Sequence, residues 1–400
     1  MAHVAALTFE QARAEVLKRV SARAARPAVA TVPLDEACGR VLAETVPADR
    51  DYPPEPRSMR DGFALQAASA PGELRVLGEV RAGEPCRFRV GPGEAVEIMT
   101  GATVPEGADA VVMVEHVSVS DGRLRVPQPV EPGANISPRG SSLRAGACAV
   151  EGGTRLTPAS TALLAAVGAA QVPVFARPRV AILPTGDELV DIGQRPEPWQ
   201  IRNSNSHALA AQVRRAGGEP VVLPPVRDRL EDTVEALEEA LKQDLVLLSG
   251  GVSAGKYDLV EQALERFGAV FYFDRVLIQP GQPCVFGRAG ETFFFGLPGN
   301  PASTFVCFEI FARAALDLLG GVARPQLPFA LAVLGEPFRH KPGLTRFLPA
   351  RLEDGARLHP IAWGGSGDVR ALAGANCFLV ADPDRPQYEA GELIRVLMAV

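Results

Sequence analysis

The sequence predicts a multidomain α/β plus β protein. Its centre is a three-layer α/β domain with a mostly parallel sheet, joined by an inserted β domain, a helical linking region and a small C-terminal β domain. Three observations predict this. Between 178 and 322 apolar strands alternate with helices, the pattern of a parallel sheet covered on both faces. At 49–144 and 323–400 the texture changes to short period-two strands broken by Gly and Pro. The chain's 400 residues also exceed one ordinary domain of about 100–200 residues.

The elements follow in order. Thr8 is placed to cap a first helix carrying Leu17, Val20 and alanines on one face, with Pro27 as its stop. The runs LRVLGEV, CRFRV, EAVEIM, ADAVVMVEHVSV and RLRVPQPV read as strands of an antiparallel or barrel-like unit. A second helix opens at Thr157 with Pro158 at its first position and closes at Gly168. VPVFARP reads as a connector. The α/β region then runs RVAIL, the helix SNSHALAAQVRRAGG, PVVLPPV, the helix DRLEDTVEALEEALK, DLVLLS, ETFFFGL and the helix STFVCFEIFARAALDLL. Pro325 and Pro328 mark a linker. FALAVLG, RFLPARLE, ARLHPIA, CFLVAD and ELIRVLM make a final β unit. The predicted regions are 1–48 with 145–177 as a discontinuous linking region, 49–144 inserted, 178–322 α/β and 323–400 C-terminal.

Charge excludes two classes of partner. Forty-one Lys and Arg against 47 Asp and Glu leave a net charge of −6, which offers no bulk attraction for nucleic acid or an anionic membrane. Six dispersed cysteines without a C-x-x-C support neither a zinc ribbon nor a disulfide framework. The N-terminus lacks the apolar core of a signal peptide, and no apolar run reaches the ~18–20 residues of a membrane span. The expectation is a cytoplasmic protein.

Ligands of open α/β sheets bind beyond the carboxyl ends of the strands, and three loops occupy that position. Pro184-Thr185-Gly186-Asp187-Glu188-Leu189 puts two carboxylates at a strand end, suited to Mg²⁺ or acid–base chemistry and equally to a capped turn. Ser249 to Asp258 holds Gly250, Gly251 and Ser253, backbone of the kind that cradles phosphate, without the spacing of a P-loop. Gly296 to Ser303 offers Asn300 as a helix cap, Pro301 at the first position and Ser303 near the positive end of the dipole. Phosphate-binding backbone beside carboxylates implies a Mg²⁺-dependent site for a phosphorylated ligand, because acidic groups repel an anion unless a cation bridges them. In the inserted β domain Asp61 and Thr100 sit in polar turns, which is how simple Asx and hydroxyl turns also look.

Together these segments resemble the MoeA family, the molybdopterin molybdenumtransferases that include the E domain of gephyrin. The matching segments are SMRDGFA (58–64), IMTGATVPEGADAVVMVE (98–115), GANISPRG (133–140), PTGDEL (184–189), IRNSNSHAL (201–209), SGGVSAGKYD (249–258), QPGQPCVFG (279–287) and GLPGNPAS (296–303). The resemblance implies an elongated homodimer whose site lies between the α/β domain of one subunit and the β domain of the other. It implies Mg²⁺-dependent insertion of molybdate, a substrate, into adenylated molybdopterin with release of AMP, and it raises contact with the upstream adenylating protein. Carried over by motif, Asp61, Thr100, Asp187, Glu188, Asp228 and Asp258 are catalytic candidates, with Asp187, Glu188 and Asp258 on the metal. Gly250, Gly251, Ser253, Gln279, Gln282, Pro298, Asn300, Pro301 and Ser303 are the substrate-binding candidates.

The chain departs from that pattern. Arg60 stands where a Met is usual, Ser141-Ser142 where an acidic pair is, and Ala371 near a usual serine. Gln279-Pro280-Gly281-Gln282 replaces Lys-Pro-Gly-Lys, removing two cations from an oxyanion region. Arg275, Lys256 or Arg60 are the cations available to compensate, and restoring lysine at 279 and 282 is expected to strengthen molybdate binding. Two alternatives accompany the transferase reading: a non-catalytic pterin-binding or scaffold paralogue, and a tungstate-inserting homologue. A full carboxylate set argues against a pure scaffold.

Overall fold

The computed structural model describes residues 6–23, 27–250 and 257–399, with the side chains of Tyr257 and Asp258 outside that description. Among the described residues it holds three six-stranded sheets, one each in the inserted, α/β and C-terminal regions. The α/β and β architecture predicted from the alternation is the one observed.

Helix α1 (Phe9–Arg23) starts where expected. Thr8 N–H donates to Gln11 Oε1 at 3.0 Å and Gln11 N–H to Thr8 Oγ1 at 3.3 Å, a reciprocal cap. Its apolar face, Phe9, Ala12, Val16 and Val20, enters the core shared by the α/β and C-terminal regions, with Phe311 and Phe347. Helix α2 (Pro158–Ala166) carries the predicted Thr157 cap, completed by Ser160.

The VPVFARP segment, expected as a connector, is instead a strand, Gln171–Phe175, paired antiparallel with Val29–Pro33. Its period-two burial is supplied by Val32, Leu42, Val172 and Val174 in a separate small core. In the inserted domain CRFRV is likewise not a strand. Phe88 packs instead on Gly78, where a Cβ would come within 2.5 Å of the ring, and Val90 N–H turns to the Glu106 carbonyl.

In the central sheet, β1 is Arg179–Pro184, β2 Glu219–Val222, β3 Leu245–Ser249, β4 Val270–Phe273, β5 Val285–Ala289 and β6 Thr292–Leu297. The spatial order is β2-β1-β3-β6-β5-β4. Only β5 runs against the others. Neither β4 nor β5 was predicted. Successive residues of β1 and β3 bury on opposite faces, as a strand's period requires. Val180, Ile182, Leu245 and Leu247 meet α3 (Ser204–Arg215) and the last long helix on one side. Ala181, Leu183, Val246 and Leu248 meet α4 (Leu230–Ala240) and α5 (Tyr257–Glu265) on the other.

That long helix is interrupted. α6 (Pro301–Cys307) and α7 (Arg313–Leu319) are joined through a wider π turn, Phe308–Ala312. The π turn places Glu309 in the interior, where it accepts from Gln212 Nε2 at 2.7 Å, Arg215 Nη2 at 2.5 Å and Arg313 Nη1 at 3.1 Å. Five strands of the C-terminal region close on themselves through the pairing of Thr345–Glu353 with Cys377–Ala381. The short strand Ile278–Gln279 adds to their edge beside Thr345 and Arg346.

Candidate active site

Sheet order creates the site. The chain leaves β1, reaches β2 on one flank and returns to β3 on the other, so the topology reverses between β1 and β3, where α/β sheets bind ligands. Pro184 pairs with Ser249 and Ser249 with Leu297, so all three loops found in the sequence leave neighbouring strands at the same level. They are tied to one another. Thr185 N–H donates to Ser249 O at 3.0 Å, and Gly250 N–H to Leu297 O at 3.3 Å.

Gly250 has φ +93°, and a Cβ there would lie 2.5 Å from the Thr185 carbonyl oxygen. Only glycine suits that turn. The buried Thr185 hydroxyl has no partner among the described residues. Gly251, Ser253 and Lys256 lie outside the described residues, as does the Asp258 side chain at the start of α5.

The acidic loops after β1 and β2 meet. Asp228 N–H donates to Asp187 Oδ1 at 3.2 Å, joining the loops after β1 and β2. The Glu188 carboxylate folds back over Gly186, where a Cβ would meet its Oε2 at 2.5 Å. Among the described residues no group of three or more His, Cys, Asp or Glu side chains could hold a metal ion. Mg²⁺ asks for less, one or two carboxylates with water and substrate phosphates, and the Asp228 backbone N–H fixes the Asp187 carboxylate at the strand ends.

The third loop corrects one expectation. Asn300 stands at the cap position of α6 but its side chain makes no capping bond. Its amide donates instead to Ser366 Oγ at 2.9 Å, while Ala302 N–H donates to Ser366 O at 2.9 Å. The C-terminal region thereby holds the loop. Ser366, absent from the sequence candidates, sits in the glycine-rich turn before Asp368. Asp368 accepts from Gly364 and Ala371 N–H groups, and those backbone bonds hold its carboxyl below the usual range. Pro298 presents its carbonyl to the Thr304 hydroxyl, Pro301 begins α6 and Ser303 is buried.

The Gln279–Gln282 loop lies against the same helix. A Cβ on Gly281 would meet Cys307 Sγ at 2.4 Å and Ser303 O at 3.7 Å. Gln282, its amide oxygen turned to Arg275, accepts from Nε at 3.2 Å and Nη2 at 3.0 Å. A guanidinium therefore stands beside the position where the resemblance expects a lysine. Among the described residues, no hydrogen bond or ion pair brings the Arg60 side chain here.

Asp61 and Thr100 meet within the inserted domain. Gly62 pairs with Ile98 in antiparallel register, which sets the preceding Asp61 and the following Thr100 at one end of the sheet. Thr100 donates to Asp61 Oδ1 from its N–H at 2.6 Å and from its hydroxyl at 2.8 Å. These two bonds, the backbone one first, lower the Asp61 pKa. Both residues are exposed, so the pair presents a fixed carboxylate to a surface rather than a buried turn.

Residues 7–168 match the family described as MoeA N-terminal region (domain I and II). Residues 331–398 match MoeA C-terminal region (domain IV). The chain belongs to the MoeA family. Its residues 181–318, which hold the three loops, match the family described as "Probable molybdopterin binding domain". Among curated proteins, the molybdopterin molybdenumtransferase of Bacillus subtilis is 36% identical over 382 residues, covering 92% of this chain and 89% of its own. That of Staphylococcus aureus is 32% identical over 396 residues, covering 96% and 94%. A solved Pyrococcus horikoshii molybdopterin biosynthesis moeA protein is 30% identical with TM-score 0.79, covering 98% of this chain and 100% of that one. No described helix is long and apolar enough to cross a membrane.

Proposed function

We propose that this chain is a molybdopterin molybdenumtransferase that inserts molybdate into adenylated molybdopterin and releases AMP in a Mg²⁺-dependent reaction. The observation that carries the reading is the alignment of Pro184, Ser249 and Leu297. It sets a glycine-rich loop between a carboxylate loop and a helix start at the reversal point of the sheet. The exposed backbone at Gly299, and by motif that at Gly251 and Ser253, suits a phosphate. Asp187 and Glu188, and by motif Asp258, would hold Mg²⁺, which neutralises phosphate charge when bound.

The chain's own groups bind and orient. Asn300, held by Ser366, fixes the loop at the head of α6 against the C-terminal region. Arg275, gripped by Gln282, supplies positive charge for a molybdate dianion where lysines are missing. Asp61, ionised over the whole neutral range, is the fixed acceptor that the inserted domain would bring to the loops of a second copy. That role makes a homodimer and a cytoplasmic setting part of the proposal, along with delivery of the pterin by the upstream adenylating protein.

A single-turnover assay tests it. Purified protein, adenylated molybdopterin, Mg²⁺ and a molybdate titration are combined, and AMP is followed for wild type and Asp187→Asn. Molybdate-dependent AMP release that drops at least about tenfold in the variant supports the reading. Tight pterin binding with no AMP release at any molybdate concentration overturns it in favour of a binding paralogue.

A further inference from the structure

Asn205 lies in the IRNSNSHAL segment, whose side chains the proposed chemistry leaves unused. Asn203 caps α3 by accepting from Ser206 N–H at 3.2 Å, which starts the helix at Ser204 and aims Asn205 back toward the strand ends. The Asn205 amide nitrogen then lies 2.8 Å from Gly299 O, 3.1 Å from Ser249 Oγ and 3.3 Å from Thr304 Oγ1. One NH₂ group thus reaches the end of β3, the loop after β6 and the first turn of α6. The Thr304 hydroxyl passes its own proton to Pro298 O, extending the chain across the loop. Ser249 and Thr304 are buried. The two loops also touch through backbone, since a Cβ on Gly299 would sit 3.5 Å from Gly250 Cα.

We propose that Asn205 is a positioning residue that staples the end of β3, at Ser249, to the loop before α6, holding the two in the relative position in which one anionic ligand binds. This rests on the transferase reading for the identity of the ligand, an adenylated pterin. The staple itself is a property of the free protein. An amide is required because Gly299 O can only accept and the Thr304 hydroxyl has committed its proton to Pro298 O, so these two need a donor at 205. A carboxylate at 205 has no proton for them, and a serine is too short to span both loops.

The test uses Asn205→Ala and the isosteric Asn205→Asp. In ligand-free protein, amide hydrogen exchange of the 298–304 segment should accelerate in Asn205→Ala, while exchange in the inserted domain stays as in wild type. Binding of adenylated molybdopterin should weaken roughly ten- to a hundredfold, as expected for loss of two hydrogen bonds from an aligned site. Asn205→Asp should bind equally weakly at pH 8 and recover relative to wild type as pH falls through the carboxyl pKa, because the protonated acid regains one donor. Unchanged exchange at 298–304 in both variants overturns the staple whatever the ligand. A pH-independent ratio of Asp variant to wild type overturns it as well. Absence of pterin binding and AMP release in wild type, with accelerated exchange in the variants, overturns the transferase reading and leaves the staple standing.

Discussion

Gly250→Ala probes the glycine-rich loop at the point where the backbone allows least. A left-handed conformation costs a non-glycine residue about 1–2 kcal/mol, and Gly250 has φ +93°. The added methyl would also lie 2.5 Å from the Thr185 carbonyl oxygen, well inside van der Waals contact. Relief requires the loop to move, and the bond that restrains it, Gly250 N–H to Leu297 O at 3.3 Å, contributes about 1 kcal/mol. The combined cost is roughly 2–3 kcal/mol. It is divided between stability, if the loop keeps its native path, and ligand affinity, if the loop rearranges. Urea denaturation measures the first share and a pterin titration the second. Their sum should reach roughly 2–3 kcal/mol, equivalent to about a 30- to 150-fold change if affinity carries it all. Gly299→Ala is the control. Its Cβ would make an ordinary 3.5 Å contact and its φ is not in the left-handed region, so stability should be close to wild type. A Gly250→Ala protein with wild-type stability and wild-type affinity refutes the reasoning.

Three further outcomes follow from the same geometry. Thr100→Val keeps the backbone bond to Asp61 and removes the hydroxyl bond, so the carboxyl pKa should rise part of the way toward the usual range in ¹³C NMR titration. Because the folded value is lowered, the pair stabilises the turn above the ordinary carboxylate range and loses that effect as pH falls through the folded value. In the variant the loss should be smaller and complete at higher pH. Glu309→Gln leaves Arg215 and Arg313 without their anion, and urea unfolding should show a loss of about 1–3 kcal/mol, moderated because both guanidiniums reach water. Gln279→Lys should tighten molybdate binding several-fold by calorimetry, whereas Gln282→Lys would set an ammonium about 3 Å from Arg275 and should gain nothing. Equal gains from both would place Arg275 away from the anion.

Local sequence was enough for features that close within a few residues. The Thr8–Gln11 and Thr157–Ser160 caps, the apolar runs of β1, β3 and β6 and the five strands of the C-terminal unit are set by short-range bonds and by the period-two burial of a strand. The three candidate loops were legible for the same reason, since each is a polar, glycine-containing excursion after an apolar strand. CRFRV shows the limit. It alternates like a strand, yet no neighbour offers it a ladder and Phe88 packs on Gly78 instead.

What the amino-acid sequence determined by itself was the identity of the elements and the family, carried by motifs in order along the chain. Tertiary structure decided which of those elements are neighbours. The order β2-β1-β3-β6 brings Pro184, Ser249 and Leu297 side by side, turns Asn300 away from capping and toward Ser366, and sets Asn205 across two loops. It also gives Gln282 its arginine. None of these pairings has a local signature, because a hydrogen bond between residues tens of positions apart depends on register and sheet order, which no window of sequence contains.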